Sequence, residues 1–159
     1  MNDLQRTEQH QILVFTLDEP RYALPLSAVE RVVRSVEITP LPKAPAIVLG
    51  VINVQGQIVP VVDIRKRLNL PTRELRPDDQ FILARSSRRR VALVVDAVVG
   101  VRALAEQDLV SAAQALPYAA YIHSVARVDD RLILICNLDQ FLSPMEERML
   151  AETSSEIPE

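Results

Sequence analysis

The sequence predicts a mainly β chain folded as two small five-stranded barrels, with short helices and a C-terminal helix. Three observations carry this. Short apolar, β-branched segments recur between turn-forming residues along most of the 159 residues. The segments repeat in the same order at nearly constant spacing. About five short strands per copy would leave unpaired edges, and a closed or partly closed barrel hides them.

The elements follow in order. Residues 1–10 read as a loose tail. "ILVFTL" (12–17) and "RYALPL" (21–26) form a hairpin around the turn "DEP". Ser27 is placed to cap a short helix through Val33, with Ala28, Val29, Val32 and Val33 at helical spacing. "ITPLPKAP" (38–45) carries three prolines and must run extended. "GVINV" and "QIVPVVDI" are strands that turn at Gln55-Gly56, where glycine points to positive φ. Pro60 cannot donate to a ladder and belongs at an edge or a bulge. "DIRKRLNL" makes one or two helical turns. The polar "PTRELRPDD" (71–79) is the best internal boundary of a single domain over 11–152. Strands follow at "QFILAR" (80–85), "RVALVVDAVVGVRAL" (90–104), "YIHSVARV" (121–128) and "RLILICNL" (131–138). "SPMEERMLAE" (143–152) closes the chain as a helix, with Ser143 as cap, Pro144 first inside and Glu146 three residues after the cap. Met145, Met149 and Leu150 form its packing side, and 153–159 reads as a frayed tail.

The repeat appears when the sequence is slid along itself. At an offset of 69, Arg21, Ala23, Leu24, Ala28, Val29 and Val32 fall on Arg90, Ala92, Leu93, Ala97, Val98 and Val101. At an offset of 74, "VQGQIVPVVDIRKRL" from Val54 falls on "VDDRLILICNLDQFL" from Val128. The second copy therefore has the longer middle connector. Two barrels of this kind must meet, and the groove between them is a natural binding place.

Composition narrows the function. The net charge is −3, aromatic residues are 4% and Trp is absent, which argues against nucleic acid. The N-terminus lacks the apolar stretch of a signal peptide, and no run approaches the ~18 apolar residues of a membrane span. The expectation is a cytoplasmic protein with no direct membrane insertion.

Chemistry finds little foothold. His10 and His123 have no neighbouring ligands in sequence, so no metal site or cofactor is expected. Three glycines (Gly50, Gly56 and Gly100) cannot compose a phosphate-binding loop. Asp63 and Asp96 follow apolar strands and are expected to cap turns. Cys136 lies inside "LILICNL" and reads as a buried small hydrophobe. "SSRRR" (86–90) reads as a solvated turn. No catalytic residues are assigned, and an enzyme has no positive support.

The stretches "ILVFTLDEPRYALPLSAVERVV", "TPLPKAPAIVLGVINVQGQIVPVVDIRKRL" and "RRVALVVDAVVGV" resemble the CheW family of chemotaxis coupling proteins, over about residues 10–150. The resemblance implies two SH3-like five-stranded barrels and an adaptor without catalysis. It implies two partners: the regulatory domain of a CheA-type histidine kinase and the helical cytoplasmic tip of a methyl-accepting chemoreceptor. The receptor would lie in a groove near Val29, Arg31, Val33, Gly50, Asn53 and Gln55. The kinase would meet the first barrel around Ile38, Leu41 and Ile47. The protein would then be cytoplasmic and recruited to membrane-associated receptor arrays, with weak self-association between barrels.

One departure stands out. Family members commonly carry Asn-x-Arg-Gly at the turn, where this chain has Asn53, Val54, Gln55 and Gly56. Many carry an acid at the position of Arg31, able to pair with that arginine. Gln55 supplies neither charge nor guanidinium fork, so an ion pair there is lost by composition. The combination points to an accessory coupling protein serving a second chemosensory pathway. The alternative from another class is a nucleic-acid or oligosaccharide-binding small double barrel.

Overall fold

The computed structural model describes residues 11–110 and 119–154. Residues 1–10, which include His10 and the expected N-terminal tail, residues 111–118 and residues 155–159 lie outside the described residues. Eleven strands and one α-helix are described: β1 (Gln11–Thr16), β2 (Arg21–Pro25), β3 (Val29–Arg34), β4 (Val48–Val54), β5 (Gln57–Val62), β6 (Gln80–Arg85), β7 (Arg90–Val95), β8 (Ala97–Ala103), β9 (Leu109–Val110), β10 (Ile122–Val128), β11 (Arg131–Cys136) and α1 (Pro144–Ser154).

The strands form two sheets. Sheet I runs β8-β1-β2-β11-β10-β9 and sheet II runs β3-β6-β7-β5-β4. The duplication is real in space: β1 and β2 start 69 residues before β6 and β7, and β4 and β5 start 74 before β10 and β11. Each sheet nevertheless draws on both copies. Hairpin β1–β2 sits between β8 and the β10–β11 hairpin, whereas β6–β7 sits between β3 and the β4–β5 hairpin. The segment 71–79 joins β5 to β6, two strands of the same sheet.

Alternation within each strand builds three cores. In β1, Leu13 and Phe15 face a large cluster between the sheets, whereas Ile12 and Val14 face a small cluster inside sheet I. In β6, Ile82 and Ala84 join the central cluster, and Phe81 and Leu83 fill sheet II. Burial on both faces explains why these strands are continuously apolar in sequence.

The expected helix from Ser27 to Val33 is instead a single 3-10 turn, Leu26–Ala28, followed by strand β3. The reason is local. The pairing of β3 with β6 shifts register between Val29 and Arg31, leaving Glu30 as an extra residue. That bulge changes the spacing of the valines from the period of a strand to one that imitates a helix. "RVALVVDAVVGVRAL" likewise divides at Asp96, where the chain passes from sheet II to sheet I. "DIRKRLNL" forms turns closed by the Leu68 N–H donating to the Ile64 carbonyl.

The C-terminal helix begins as expected. The Ser143 N–H donates to Glu146 Oε1 at 2.8 Å, and the Glu146 N–H donates to Ser143 Oγ at 3.1 Å. Leu150 is fully buried in the central core, but Met145 is 64% exposed and does not share the packing side. Glu147 is buried and accepts from Arg89 Nε at 2.6 Å. The basic run at 86–90 is thus not wholly solvated: Arg89 holds the helix, and Arg90 pairs with Glu30.

Candidate functional site

The Gln55 turn lies at one mouth of sheet II. Gln55 has φ +50° and Gly56 φ +84°, the left-handed pair that a two-residue hairpin requires. Asn53 steadies it, its Oδ1 accepting from the Gly56 N–H at 2.8 Å. Asn53, Gln55, Gly56 and Gln57 are all exposed.

An ion pair stands beside this turn after all, built from other residues. Glu30, the extra residue of the β3 bulge, accepts from Arg90 Nε at 3.1 Å and pairs with Arg90 Nη2 at 3.0 Å. Arg90 also donates to the Gln57 side-chain oxygen. The guanidinium comes from β7, in the other copy, and the acid is one residue before Arg31. Arg31 is exposed and has no acidic partner among the described residues.

The edge strand that leads into this turn, β4, explains Gly50. The chain after β3 returns so that Thr39 pairs with Val51, the two backbones exchanging bonds of 2.9 and 2.8 Å. This bridge partly closes sheet II. Gly50 is buried at φ +151°, and a Cβ there would fall on the Thr39 carbonyl oxygen and 2.7 Å from Ile38 Cγ2. Only glycine lets the two backbones approach.

The remaining expected site residues divide. Val29 is half-buried against the central core, whereas Val33 packs on the interior of sheet II, so the two do not share one face. Ile38 is half-buried against the sheet II interior and Leu41 against the central core. Ile47 is 2% exposed and belongs to the core itself. Gly50 and Ile38 touch, which brings the two expected surfaces together at the β4 edge.

A second charged cluster escaped the sequence. Arg65 donates from Nη1 to Asp18 at 2.9 Å and from Nη2 to Asp96 at 2.6 Å. Arg73 binds Asp79 at 2.7 Å and also binds Asp96. Asp96 additionally accepts from the Asp18 N–H at 2.7 Å. Burial opposes its charge, but this backbone bond and the two arginines outweigh burial and hold its carboxyl below the usual range. Asp96 is therefore far more than a turn cap. The space beside Asp63, Arg65, Arg73 and Asp79 is about 20 Å³, room for roughly one water. Such a cluster braces the fold. Asp63 does act as a turn residue, its Oδ1 accepting from the Arg65 N–H at 3.2 Å.

A model of the CheW-like domain matches residues 11–145. The chain belongs to the CheW-like family. It is 30% identical over 135 residues to the chemotaxis protein CheW of Thermotoga maritima, covering 85% of this chain and 89% of that one. It is 27% identical over 150 residues to CheW of Treponema pallidum, covering 91% and 88%. In three dimensions it matches the scaffolding protein CheW of Thermoanaerobacter tengcongensis with a TM-score of 0.79 at 30% identity, over 87% of this chain and 95% of that one. The two sheets are accordingly the SH3-like halves of a CheW-like domain. Within it, Cys136 is 1% exposed and its thiol is pushed up to about 12 by burial, as suits a core side chain. His123 is exposed on β10, its ring 3.3 Å from Ser124 Oγ. No helix among the described residues is long and apolar enough to cross a membrane.

Proposed function

We propose that the chain is a non-catalytic scaffold that couples methyl-accepting chemoreceptors to a CheA-type histidine kinase. One observation carries this reading: the match to a scaffolding CheW extends over almost the whole of both chains. The receptor tip would dock at the sheet II mouth, using Arg31 of β3 with Gly50, Asn53 and Gln55 of β4 and its turn, and meeting Val29 and Val33 on different faces of β3. The kinase regulatory domain would meet the neighbouring β4 edge around Ile38 and Leu41. Ile47 would support that surface from beneath, since it is core. Binding would bring the protein from the cytoplasm to the receptor array.

The turn chemistry supports a finer reading, an accessory pathway. Gln55 offers a neutral amide, Arg31 a charge with no acidic partner among the described residues, and the Glu30–Arg90 pair is already closed. A receptor selected for this surface would present an acid to Arg31 rather than to position 55.

Reconstitution tests the function. The kinase and receptor encoded in the same gene neighbourhood are combined with or without this protein, and autophosphorylation of the kinase is followed. Receptor-dependent activation only in the presence of the chain is expected. Equal activation without it would refute the coupling role. Full restoration of swimming by this chain in a strain lacking its standard coupling protein would refute the accessory role alone.

A further inference from the structure

The duplication gives the mouth beside Gln55 a twin in sheet I. In sheet II the extra residue of the bulge is Glu30, and it binds Arg90 at the start of β7, which binds Gln57 at the start of β5. In sheet I the pairing of β8 with β1 also shifts by one, leaving Val99 as the extra residue. Val99 lies 69 residues after Glu30, and Arg21 lies 69 before Arg90. Arg131, at the start of β11, lies 74 after Gln57. At corresponding places the acid has become a valine and the amide a second arginine.

These residues surround a depression of about 240 Å³. Val14, Val99, Val128 and Ile133 supply its apolar surface, and Val99 is 47% exposed. Arg102 pairs with Asp129 at the rim, so that charge is answered. Arg21 and Arg131 have no acidic partner among the described residues. Two guanidinium groups and an aliphatic floor thus face an opening whose twin carries its own carboxylate.

We propose that this sheet I mouth is a separate docking site for an acidic segment of a partner protein, whose carboxylate takes the place that Glu30 fills in the twin. Guanidinium forks favour carboxylates, and the valine floor favours an aliphatic neighbour in the same segment. Asp129 at the rim, together with a net charge of −3, opposes an extended polyanion and so favours a short acidic peptide over nucleic acid.

The test is an amide-shift NMR titration of the full chain with the blocked peptide Glu-Ile-Glu-Leu-Glu. Saturable shifts centred on Val14, Arg21, Val99 and Arg131 are expected. Val99→Glu restores the twin's acid in cis and should weaken binding about tenfold, as should Arg21→Gln with Arg131→Gln. The wild-type shift map stands even if the arginine variant folds poorly, and Val99→Glu alters an exposed position. No saturable shift, shifts centred on Gln55, or undiminished binding by Val99→Glu would overturn the proposal. So would tighter binding of oligo-thymidylate at the same residues.

Discussion

Arg65 Nη2 and Asp96 Oδ1 meet at 2.6 Å where the chain crosses between the two sheets. Arg65 is only 6% exposed in its side chain and also binds Asp18 in the β1–β2 turn. Arg73 reaches Asp96 from the connector between β5 and β6. One aspartate thus ties the connector of one sheet to a hairpin of the other.

Asp96→Asn should therefore cost about 3 kcal/mol at neutral pH, as loss of one partner of a partly buried ion pair does. The folded carboxyls of Asp96 and Asp79 are both held below their ordinary value. Burial opposes this in each, but is outweighed by the bonds they accept. Their stabilisation is complete above the unfolded carboxylate pKa of about 4 and is lost as pH falls towards the folded values. Urea unfolding at pH 7, 4.5 and 3 should show the gap between wild type and Asp96→Asn narrowing only at the lowest pH. A constant gap would contradict this account.

Gly50→Ala tests the closure of sheet II. The added methyl meets the Thr39 backbone, and the φ of +151° is unfavourable for any Cβ. Strain and overpacking together should cost about 2–4 kcal/mol. Hydrogen exchange should show the Thr39 and Val51 amides opening first. The equivalent place in sheet I is Ser124, 74 residues on, and there β9 pairs with Val125 through Val110 in place of the Thr39 bridge.

The C-terminal helix separates three kinds of contribution. Ser143→Ala removes a cap and should cost about 1 kcal/mol. Leu150→Ala opens a hole in the central core and should cost about 3 kcal/mol. Met145→Ala, at an exposed position, should lie within about 0.5 kcal/mol of wild type. Thermal unfolding ranks the three directly.

Cys136 should resist a thiol reagent at neutral pH in the native protein. Burial raises its pKa to about 12, so the reactive thiolate is scarce. Its labelling rate should follow global unfolding as urea is raised. Fast labelling without urea would show that β11 opens locally.

The strand order within each copy was legible because the two offsets, 69 and 74, are carried by contiguous apolar runs. The exchange of hairpins between copies was not, since β2 pairs with β11 in parallel across more than a hundred residues and nothing local encodes that choice. Ser27–Val33 misled because a bulge at Glu30 gave valines helical spacing. The turn at Gln55-Gly56 was readable from a single glycine. The Glu30–Arg90 pair was not, because it joins the two copies across the sheet. The arginines of the buried cluster looked like ordinary connector charges until Asp18 and Asp96 were brought beside them.

In the proposed role the chain bridges two partners at once. Calorimetric titration tests it most directly: the kinase regulatory domain is titrated into this protein alone, and then into this protein saturated with the receptor-tip fragment. Saturable one-to-one binding is expected in both titrations. Binding of the kinase domain that disappears when the receptor tip is present would mean one shared site, and would contradict a bridging scaffold.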